Sequence, residues 1–134
     1  MTTAPRLAPP LDDVNRPFWT SGPDGPLLLQ WCATCDRWIH PPGAACDGCR
    51  AAPEWRPVSG DGTVFTFTVV RHPYHPDVPV PYVVAIVELA EQADLRFTTN
   101  VIDCDPDEVA IGMAVHVTFE AAGDEAWAPV FRPA

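Results

Sequence analysis

The chain has no lysine. All eight of its basic side chains are arginines, and they face 18 aspartates and glutamates, which gives a formal net charge of -10. Mechanisms that need a lysine amine are therefore excluded, among them Schiff-base aldol cleavage, pyridoxal-phosphate catalysis and phosphate binding by a P-loop lysine. The scarcity of cations also disfavours nucleic acid as a partner, because its binding depends on side chains that neutralise phosphates.

Serine is nearly as scarce, since the chain contains only Ser21 and Ser59 and no G-x-S-x-G motif. We cannot assemble a nucleophile, a base and an orienting group from the remaining residues. The one glycine-rich segment, Gly60-Asp61-Gly62, precedes a strand-like segment rather than a helix, so it does not fit a phosphate-binding loop. We therefore assign no catalytic residue.

Long apolar runs are also absent. The longest spans about Tyr82 to Val87, far short of the roughly 20 residues that a membrane helix needs. Residues 1–13 lack the apolar region of a signal peptide. The sequence thus predicts a soluble cytoplasmic protein without a membrane partner, in which the five cysteines serve as thiols or metal ligands rather than disulfides.

Seventeen prolines and eight glycines interrupt the chain, which favours short strands over long helices. The second half contains five strand-like segments, with a helical turn from Asp105 between the third and fourth; the segments are 63–71, 82–89, 95–102, 114–120 and 127–131. This order favours a small closed barrel of the OB type. A β-sandwich would need about seven strands.

The first 26 residues predict a mobile arm and a short helix. Residues 1–14 show no hydrophobic periodicity, whereas Asn15 can cap a helix that has Pro17 in its first turn. Phe18 and Trp19 give this helix an apolar side. The segment Ser21-Gly22-Pro23 is expected to end it.

Four of the cysteines form two C-x2-C pairs with ten residues between them: Cys32, Cys35, Cys46 and Cys49. Two such turns direct four thiolates at one metal ion and predict a rubredoxin-like zinc ribbon. Iron is the alternative metal, but an electron-transfer protein would gain little from an attached barrel, so we favour zinc. Because all four positions are protein ligands, the metal is expected to be structural. Three tryptophans are expected to supply the small core of the ribbon: Trp31, Trp38 and Trp55.

The sequence therefore predicts a mainly β protein in three parts: an arm and helix over 1–26, a zinc ribbon over 27–58 and a five-stranded OB-fold barrel over 59–134. The barrel is the acidic part, with 12 acidic side chains and three arginines. Cys104 lies between Asp103 and Asp105, and such negative neighbours raise a thiol pKa and make it a poor nucleophile. His40 and His116 are expected at the surface or in satisfied pockets.

The loop between the first two barrel strands, residues 71–81, is a candidate recognition site. It contains four prolines, and it brings together Arg71, His72, Tyr74 and His75. A stiff loop loses little entropy when it docks. The first long loop of an OB barrel is also a common place for ligand contact.

The order of the motifs along the chain resembles the zinc-ribbon/OB-fold acyl-CoA-associated proteins. The resemblance runs from about Asn15 to Pro133 and rests on eight features: Phe18-Trp19, Leu28-Leu29-Gln30, both cysteine pairs with Pro41-Pro42 between them, 59–64, 81–85, 100–103, 111–113 and 129–133. Asp36 and Arg50 follow the cysteine pairs where such ribbons often carry glycine. Arginine tolerates a positive φ poorly, so Arg50 argues against the usual turn after the second cysteine pair.

The resemblance implies a non-catalytic accessory subunit of a thiolase-like enzyme acting on acyl-CoA. The favoured partner is a lipid-transfer-protein-type aldolase that cleaves steroid side-chain CoA thioesters; a helper of an acyltransferase or a hydratase is an alternative. Candidate contacts with the partner or with CoA are Phe18, Trp19, Arg71, His72, Tyr74 and His75. A single-stranded nucleic-acid-binding module is a further alternative, since ribbons and OB barrels both bind nucleic acids elsewhere.

Overall fold

A computed structural model describes residues 6–22 and 25–134; residues 1–5 of the predicted arm and Pro23 of the predicted helix end lie outside these ranges. The elements follow in the order α1 (Arg16–Thr20), β1 (Leu28–Cys32), β2 (Arg37–Ile39), β3 (Glu54–Pro57), β4 (Asp61–Val70), β5 (Tyr82–Leu89), β6 (Arg96–Val101), a 3-10 turn (Pro106–Glu108), β7 (Ala114–Ala122) and β8 (Ala126–Pro133). The predicted fold class, mainly β with a short leading helix, is confirmed.

Helix α1 begins where the sequence predicts, with Asn15 at the N-cap position and Pro17 in the first turn. The Asn15 side chain does not cap the helix, however. Its Oδ1 accepts a hydrogen bond from the Asp12 backbone N–H at 2.9 Å, and its amide donates to the Pro10 carbonyl. Asn15 therefore fixes the turn that leads into α1, because asparagine readily bonds to nearby backbone groups.

The cysteine region forms a three-stranded antiparallel sheet in the order β2-β1-β3. Trp31 on β1 is paired with Trp38 on β2, and Gln30 is paired with Trp55 on β3. Strands β2 and β3 are not predicted from the sequence, because strands of three and four residues are too short to show an alternating pattern.

The second half forms a closed barrel in the order β4-β5-β6-β8-β7, so the predicted five-stranded OB barrel is confirmed. Strand β5 alternates strictly, with Val83, Ala85, Val87 and Leu89 buried in the barrel. The β6–β8 side is closed by a single parallel pair, Val101 with Phe131. Beyond this pair, the strands are bridged by the Thr99 hydroxyl, which donates to the Pro129 carbonyl at 2.9 Å.

The helix, the ribbon and the barrel share one hydrophobic core. Phe18 of α1 and Leu29 of β1 belong to the same buried cluster as Phe97 and Phe131 of the barrel. The Gln92 side chain adds a polar link, because it accepts from the backbone N–H of Trp38 and donates to the carbonyl of the same residue. The ribbon is therefore packed against the barrel and is not joined to it only by the connecting chain.

The described part of the arm is bound to the barrel, in contrast to the mobile arm that the sequence predicts. Arg6 pairs with Glu120 of β7 at 2.7 Å and donates to the Asn100 side chain of β6 at 2.9 Å. Two residues later, Ala8 packs closely on Gly123. A Cβ atom added to Gly123 would lie only 2.6 Å from the Ala8 Cβ. This anchoring is not predicted from the sequence, because single long-range ion pairs and small-residue contacts leave no periodic pattern.

Candidate functional site

The four cysteines predicted to bind a metal lie together at one end of the ribbon. Their sulfur atoms are all within 4.8 Å of one another; Cys32 Sγ is 3.4 Å from Cys49 Sγ and Cys46 Sγ is 3.9 Å from Cys35 Sγ. Zn–S bonds of about 2.3 Å in a tetrahedron would place the sulfurs about 3.8 Å apart. The donor set and its spacing therefore fit one tetrahedral metal ion.

The turns that hold these sulfurs have the backbone geometry typical of metal knuckles. The Cys35 backbone N–H donates to Cys32 Sγ at 3.3 Å in the first pair. In the second, the Arg50 N–H donates to the Cys46 carbonyl at 2.8 Å. Asp36 and Arg50 both have positive φ, at 56° and 63°. The second knuckle thus forms with arginine in a backbone conformation that favours glycine.

Without a metal ion, the four thiols differ in pKa because their backbone and thiol neighbours differ. The backbone N–H groups of Cys49 and Gly48 lower the pKa of Cys46 to about 7. The neighbouring cysteine side chains, led by Cys49, together with burial raise the pKa of Cys35 to about 12. A divalent metal ion would stabilise all four thiolates, and four protein ligands would leave it no open position for substrate.

The three ribbon tryptophans are half-buried rather than fully enclosed. The rings of Trp31 and Trp38 meet edge to face at 5.1 Å, and the Arg56 guanidinium lies 5.1 Å from the Trp31 ring centre. Trp38 and Trp55 also pack against the shared core. Trp38 and Trp55 therefore add to the apolar contact between the ribbon and the barrel.

A groove of about 650 Å³ runs between the arm, α1, the ribbon and the barrel, next to the loosely closed β6–β8 side. It brings together three of the predicted contact residues, Phe18, Trp19 and Tyr74. Phe18 is buried and forms part of the floor, with its ring 5.1 Å from that of Trp19. Trp19 is half-buried and Tyr74 is exposed, so these two reach the surface.

The other predicted contact residues lie outside the groove, on the exposed 71–81 loop. Arg71 lies 3.7 Å from Asp107 in an exposed ion pair. His75 Nδ1 accepts from the Asp77 backbone N–H at 3.1 Å, which stabilises the tip of the loop. The predicted set is therefore divided between the groove and the loop, with Tyr74 belonging to both.

His40 is a half-buried residue of the groove and does not lie in a satisfied pocket. Its ring packs 5.0 Å from Phe18 and 5.2 Å from Phe97. Its Nδ1 is buried without a hydrogen-bond partner among the described residues. Burial lowers the pKa of His40 to about 4, so the imidazole is neutral at neutral pH. No local signal predicts this, because the packing partners lie on α1 and β6.

His116 is paired at the surface, and Cys104 is half-buried. His116 Nδ1 lies 2.7 Å from the Asp61 carboxylate in a surface pair. Burial, followed by the charges of Glu108, Asp105 and Asp103, raises the pKa of Cys104. The thiol is accordingly a poor nucleophile, for a reason that includes burial as well as the predicted negative neighbours. No helix within the described ranges is long and apolar enough to cross a membrane.

A four-cysteine ribbon packed on a five-stranded OB barrel defines the architectural class of this chain. Residues 55–120 match the family model described as the ChsH2 C-terminal OB-fold domain. Among solved structures, the chain is similar to one described as an Ltp2-ChsH2(DUF35) aldolase, with a TM-score of 0.82 and 36% identity over 93% of this chain and 98% of that one. The chain therefore belongs to the DUF35 family.

Curated relatives carry two kinds of description. A DUF35 domain-containing scaffold protein of Methanocaldococcus jannaschii is 38% identical over 69% of this chain and 67% of its own length. A probable enoyl-CoA hydratase alpha subunit of Thermomonospora curvata is 39% identical over 97% of this chain. A 3-oxo-4,17-pregnadiene-20-carboxyl-CoA hydratase alpha subunit of Mycobacterium tuberculosis is 41% identical over 60% of this chain.

The two hydratase subunits are much longer than the part that matches. This chain covers 41% of the Thermomonospora protein and 25% of the Mycobacterium protein. The activity in those names therefore belongs to proteins of which this chain resembles one portion.

Proposed function

We propose that this chain is a non-catalytic accessory subunit of a thiolase-like enzyme complex, an aldolase that cleaves a carbon–carbon bond in a steroid side-chain CoA thioester. The observation that supports this most is the full-length similarity to the chain described as part of an Ltp2-ChsH2(DUF35) aldolase. The scaffold description of the Methanocaldococcus relative supports the non-catalytic part of the proposal. The pregnadiene carboxyl-CoA in the name of the Mycobacterium relative supports the steroid thioester.

The chemistry of the described residues is consistent with a subunit that positions rather than reacts. The metal cluster would have no open coordination position, and the Cys104 thiol has a raised pKa. What such a chain can add to a partner is shape: a surface that completes a water-excluding pocket and fixes the partner's loops. We assign this surface to Trp19, Tyr74 and the exposed part of the 71–81 loop, namely Arg71, His72 and His75.

A hydratase helper is the second candidate, because two relatives are described as hydratase alpha subunits. Those proteins are more than twice as long as the region that this chain matches. We therefore place their hydratase chemistry in the portion that this chain does not resemble. A nucleic-acid module is disfavoured by the barrel charge, with three arginines against 12 acids.

Co-purification tests the accessory role. The tagged wild-type chain should capture a thiolase-like protein from its native cells in stoichiometric amounts. Trp19→Ala should reduce the yield of partner at least about tenfold, because buried aromatic anchors dominate protein interfaces. Trp31→Ala, which removes an equal ring from the ribbon outside the groove, is the matched control and should retain the partner. A wild-type chain that elutes alone from its native cells would contradict the proposal.

We further propose that the metal is zinc, that it is structural, and that Cys32, Cys35, Cys46 and Cys49 are its ligands. Elemental analysis should give about one zinc per chain, and an iron stoichiometry with a red chromophore would overturn the assignment. Cys46→Ala should lose the metal and unfold the ribbon, since a structural site contributes its binding energy to folding. Cys104→Ala removes a thiol outside the cluster and should keep one metal ion.

A further inference from the structure

A β-bulge turns an aromatic ring out of the barrel. The register between β4 and β5 shifts between Val64 and Thr66, so Phe65 is the extra residue of β4. Val64 is buried in the core, whereas Phe65 is 45% exposed. Bulges re-aim side chains and are frequent next to functional sites. The bulge therefore places a large apolar ring on the outer face of the barrel, a face that is usually polar in an antiparallel sheet.

An arginine holds this ring in one orientation. The Arg96 guanidinium lies 3.6 Å from the centre of the Phe65 ring. Arg96 is itself fixed by Glu88 at 3.0 Å and by Asp94 at 3.1 Å. Aromatic and arginine side chains are enriched in protein interfaces, and side chains that are already ordered lose little entropy when a partner binds. Phe65 and Arg96 thus form a pre-organised contact pair.

Further apolar side chains lie beside the bulge. The Gly112 N–H donates to the Val64 carbonyl at 2.8 Å, which brings the backbone of the preceding residue, Ile111, alongside that of Phe65. Ile111 is 70% exposed. On β5, the half-buried Ile86 is paired with Thr66 directly after the bulge. We call Phe65, Ile86, Ile111 and Arg96 the bulge patch.

The bulge patch is continuous with the surface assigned to the partner. Tyr82 and Val84 line the groove from the outer face of β5, and Ile86 is the next outward residue of that strand. At about 3.3 Å per residue, only about 13 Å separates Tyr82 from Ile86. A stable interface takes about 20–30 residues from each protein, which is more than the groove edge and the 71–81 loop supply. A partner seated at the groove edge therefore needs further surface on this face.

Charge selects the kind of surface that fits the patch. Glu88 and Asp94 outnumber Arg96 there, and the Asp94 side chain is 83% exposed. The Asp94 backbone N–H and the Arg96 guanidinium lower the pKa of Glu88, so its carboxylate is ionised at neutral pH. A second copy of this chain would bring the same excess of acid, since the formal net charge is -10. Opposite charges attract across an interface, so the patch fits an apolar surface with basic side chains around it.

We propose that the bulge patch is a second contact with the thiolase-like partner, which meets it with an apolar surface flanked by lysine or arginine. This inference rests on the proposed function and extends its contact surface from the groove edge across the outer face of β5. Phe65 and Ile111 supply the apolar contact. Glu88 and Asp94 attract the basic side chains of the partner.

Binding of the co-purified partner to the immobilised, metal-loaded chain tests the apolar contact. Phe65→Ala should raise the dissociation rate at least about tenfold and Ile111→Ala about three- to tenfold. Leu7→Ala is the matched control: Leu7 is 83% exposed on the arm and lies outside both the patch and the groove lining, so this variant should dissociate as the wild type does. Urea unfolding checks that Phe65→Ala is folded, and Ile111→Ala removes a side chain with little packing. Wild-type dissociation rates for both patch variants would overturn the inference.

Sedimentation of the chain without its partner tests the competing occupant. The wild type should be monomeric, because two copies of the patch repel each other. A dimer that Phe65→Ala dissociates would assign the patch to a second copy of this chain and overturn the inference.

A change of charge tests the basic surface of the partner. Asp94→Asn removes one exposed carboxylate, and asparagine tolerates the positive φ of 67° at this residue. It should slow association with the partner about two- to fivefold at low ionic strength, and about 0.5 M salt should abolish the difference. Asp124→Asn makes the same change in the exposed β7–β8 turn and should associate as the wild type does. Unchanged or faster association of Asp94→Asn would contradict a basic partner surface.

Failure of this inference is distinguishable from failure of the accessory role. If Trp19→Ala loses the partner while Phe65→Ala and Ile111→Ala bind it as the wild type does, the accessory role stands and the bulge patch lies outside the interface. A wild-type chain that binds no partner would contradict both.

Discussion

At the residue scale, Arg50 closes the second metal knuckle with a left-handed backbone. Its φ is 63°, and its N–H donates to the Cys46 carbonyl at 2.8 Å. For a residue with a Cβ this conformation costs about 1–2 kcal/mol relative to the right-handed region, a cost that glycine avoids. The knuckle geometry therefore holds the chain in this conformation at the expense of stability.

Arg50→Gly should raise the free energy of unfolding by about 1 kcal/mol, because it relieves this strain. Arg37→Gly is the matched control: it removes the same side chain from strand β2, where glycine weakens a strand. Urea unfolding of the metal-loaded proteins measures both. A lower stability for Arg50→Gly would mean that the Arg50 side chain contributes more than its backbone costs.

His40 should make stability depend on pH. Its folded-state pKa is about 4, against an ordinary value of 6.5, so the unfolded chain takes up the proton first as the pH falls. Its contribution to stability is then present above about pH 6.5 and is lost progressively down to about pH 4, by about 3 kcal/mol in total. His40→Phe should flatten this part of the profile relative to wild type in urea unfolding between pH 7.5 and 4.5. Parallel profiles would contradict the burial of His40.

At the scale of elements, the arm and α1 hold the β7–β8 hairpin. Arg6 pairs with Glu120, Ala8 packs on Gly123, and Arg16 pairs with Glu125 beyond it. These contacts place the arm along one side of the groove and α1 in its lining. The groove therefore depends on the arm staying in place.

The two arginines of this contact should differ in their effect. Arg6 and Glu120 are largely buried, with side-chain exposures of 27% and 14%, whereas Arg16 and Glu125 are 48% and 68% exposed. Arg6→Ala should lower the free energy of unfolding by about 1–2 kcal/mol and open the arm to proteolysis. Arg16→Ala should cost less than about 0.5 kcal/mol, because exposed pairs are screened by solvent. Equal costs would show that the arm is not anchored by Arg6.

Elements differ in how far the sequence predicts them. The barrel strands follow from runs of β-branched and aromatic residues, and the four candidate ligands follow from the C-x2-C spacing, since both signals are local. The groove does not follow from local signals, because Arg6, His40 and Val84 come together only when the arm, the ribbon and the barrel pack against one another. Burial of His40 and anchoring of the arm are tertiary effects that local patterns do not carry.

At the scale of the whole molecule, the ribbon, the helix and the barrel form one packed unit with a groove on one side and a cluster of four cysteines in the ribbon. This unit combines a shared hydrophobic core with the exposed, proline-rich 71–81 loop and the groove. These features suit a subunit that supports a partner. We propose that this unit acts through a partner rather than by its own chemistry.

Reconstitution of the complex tests this proposal. The rate of acyl-CoA cleavage should be measured for this chain alone, for its co-purified thiolase-like partner alone, and for the two together, with a steroid side-chain β-hydroxyacyl-CoA as substrate. We predict no turnover by this chain alone and cleavage that appears or rises at least about a hundredfold when the partner is combined with it. Cleavage by the isolated chain, or a partner whose rate is unchanged when this chain is added, would contradict the accessory role.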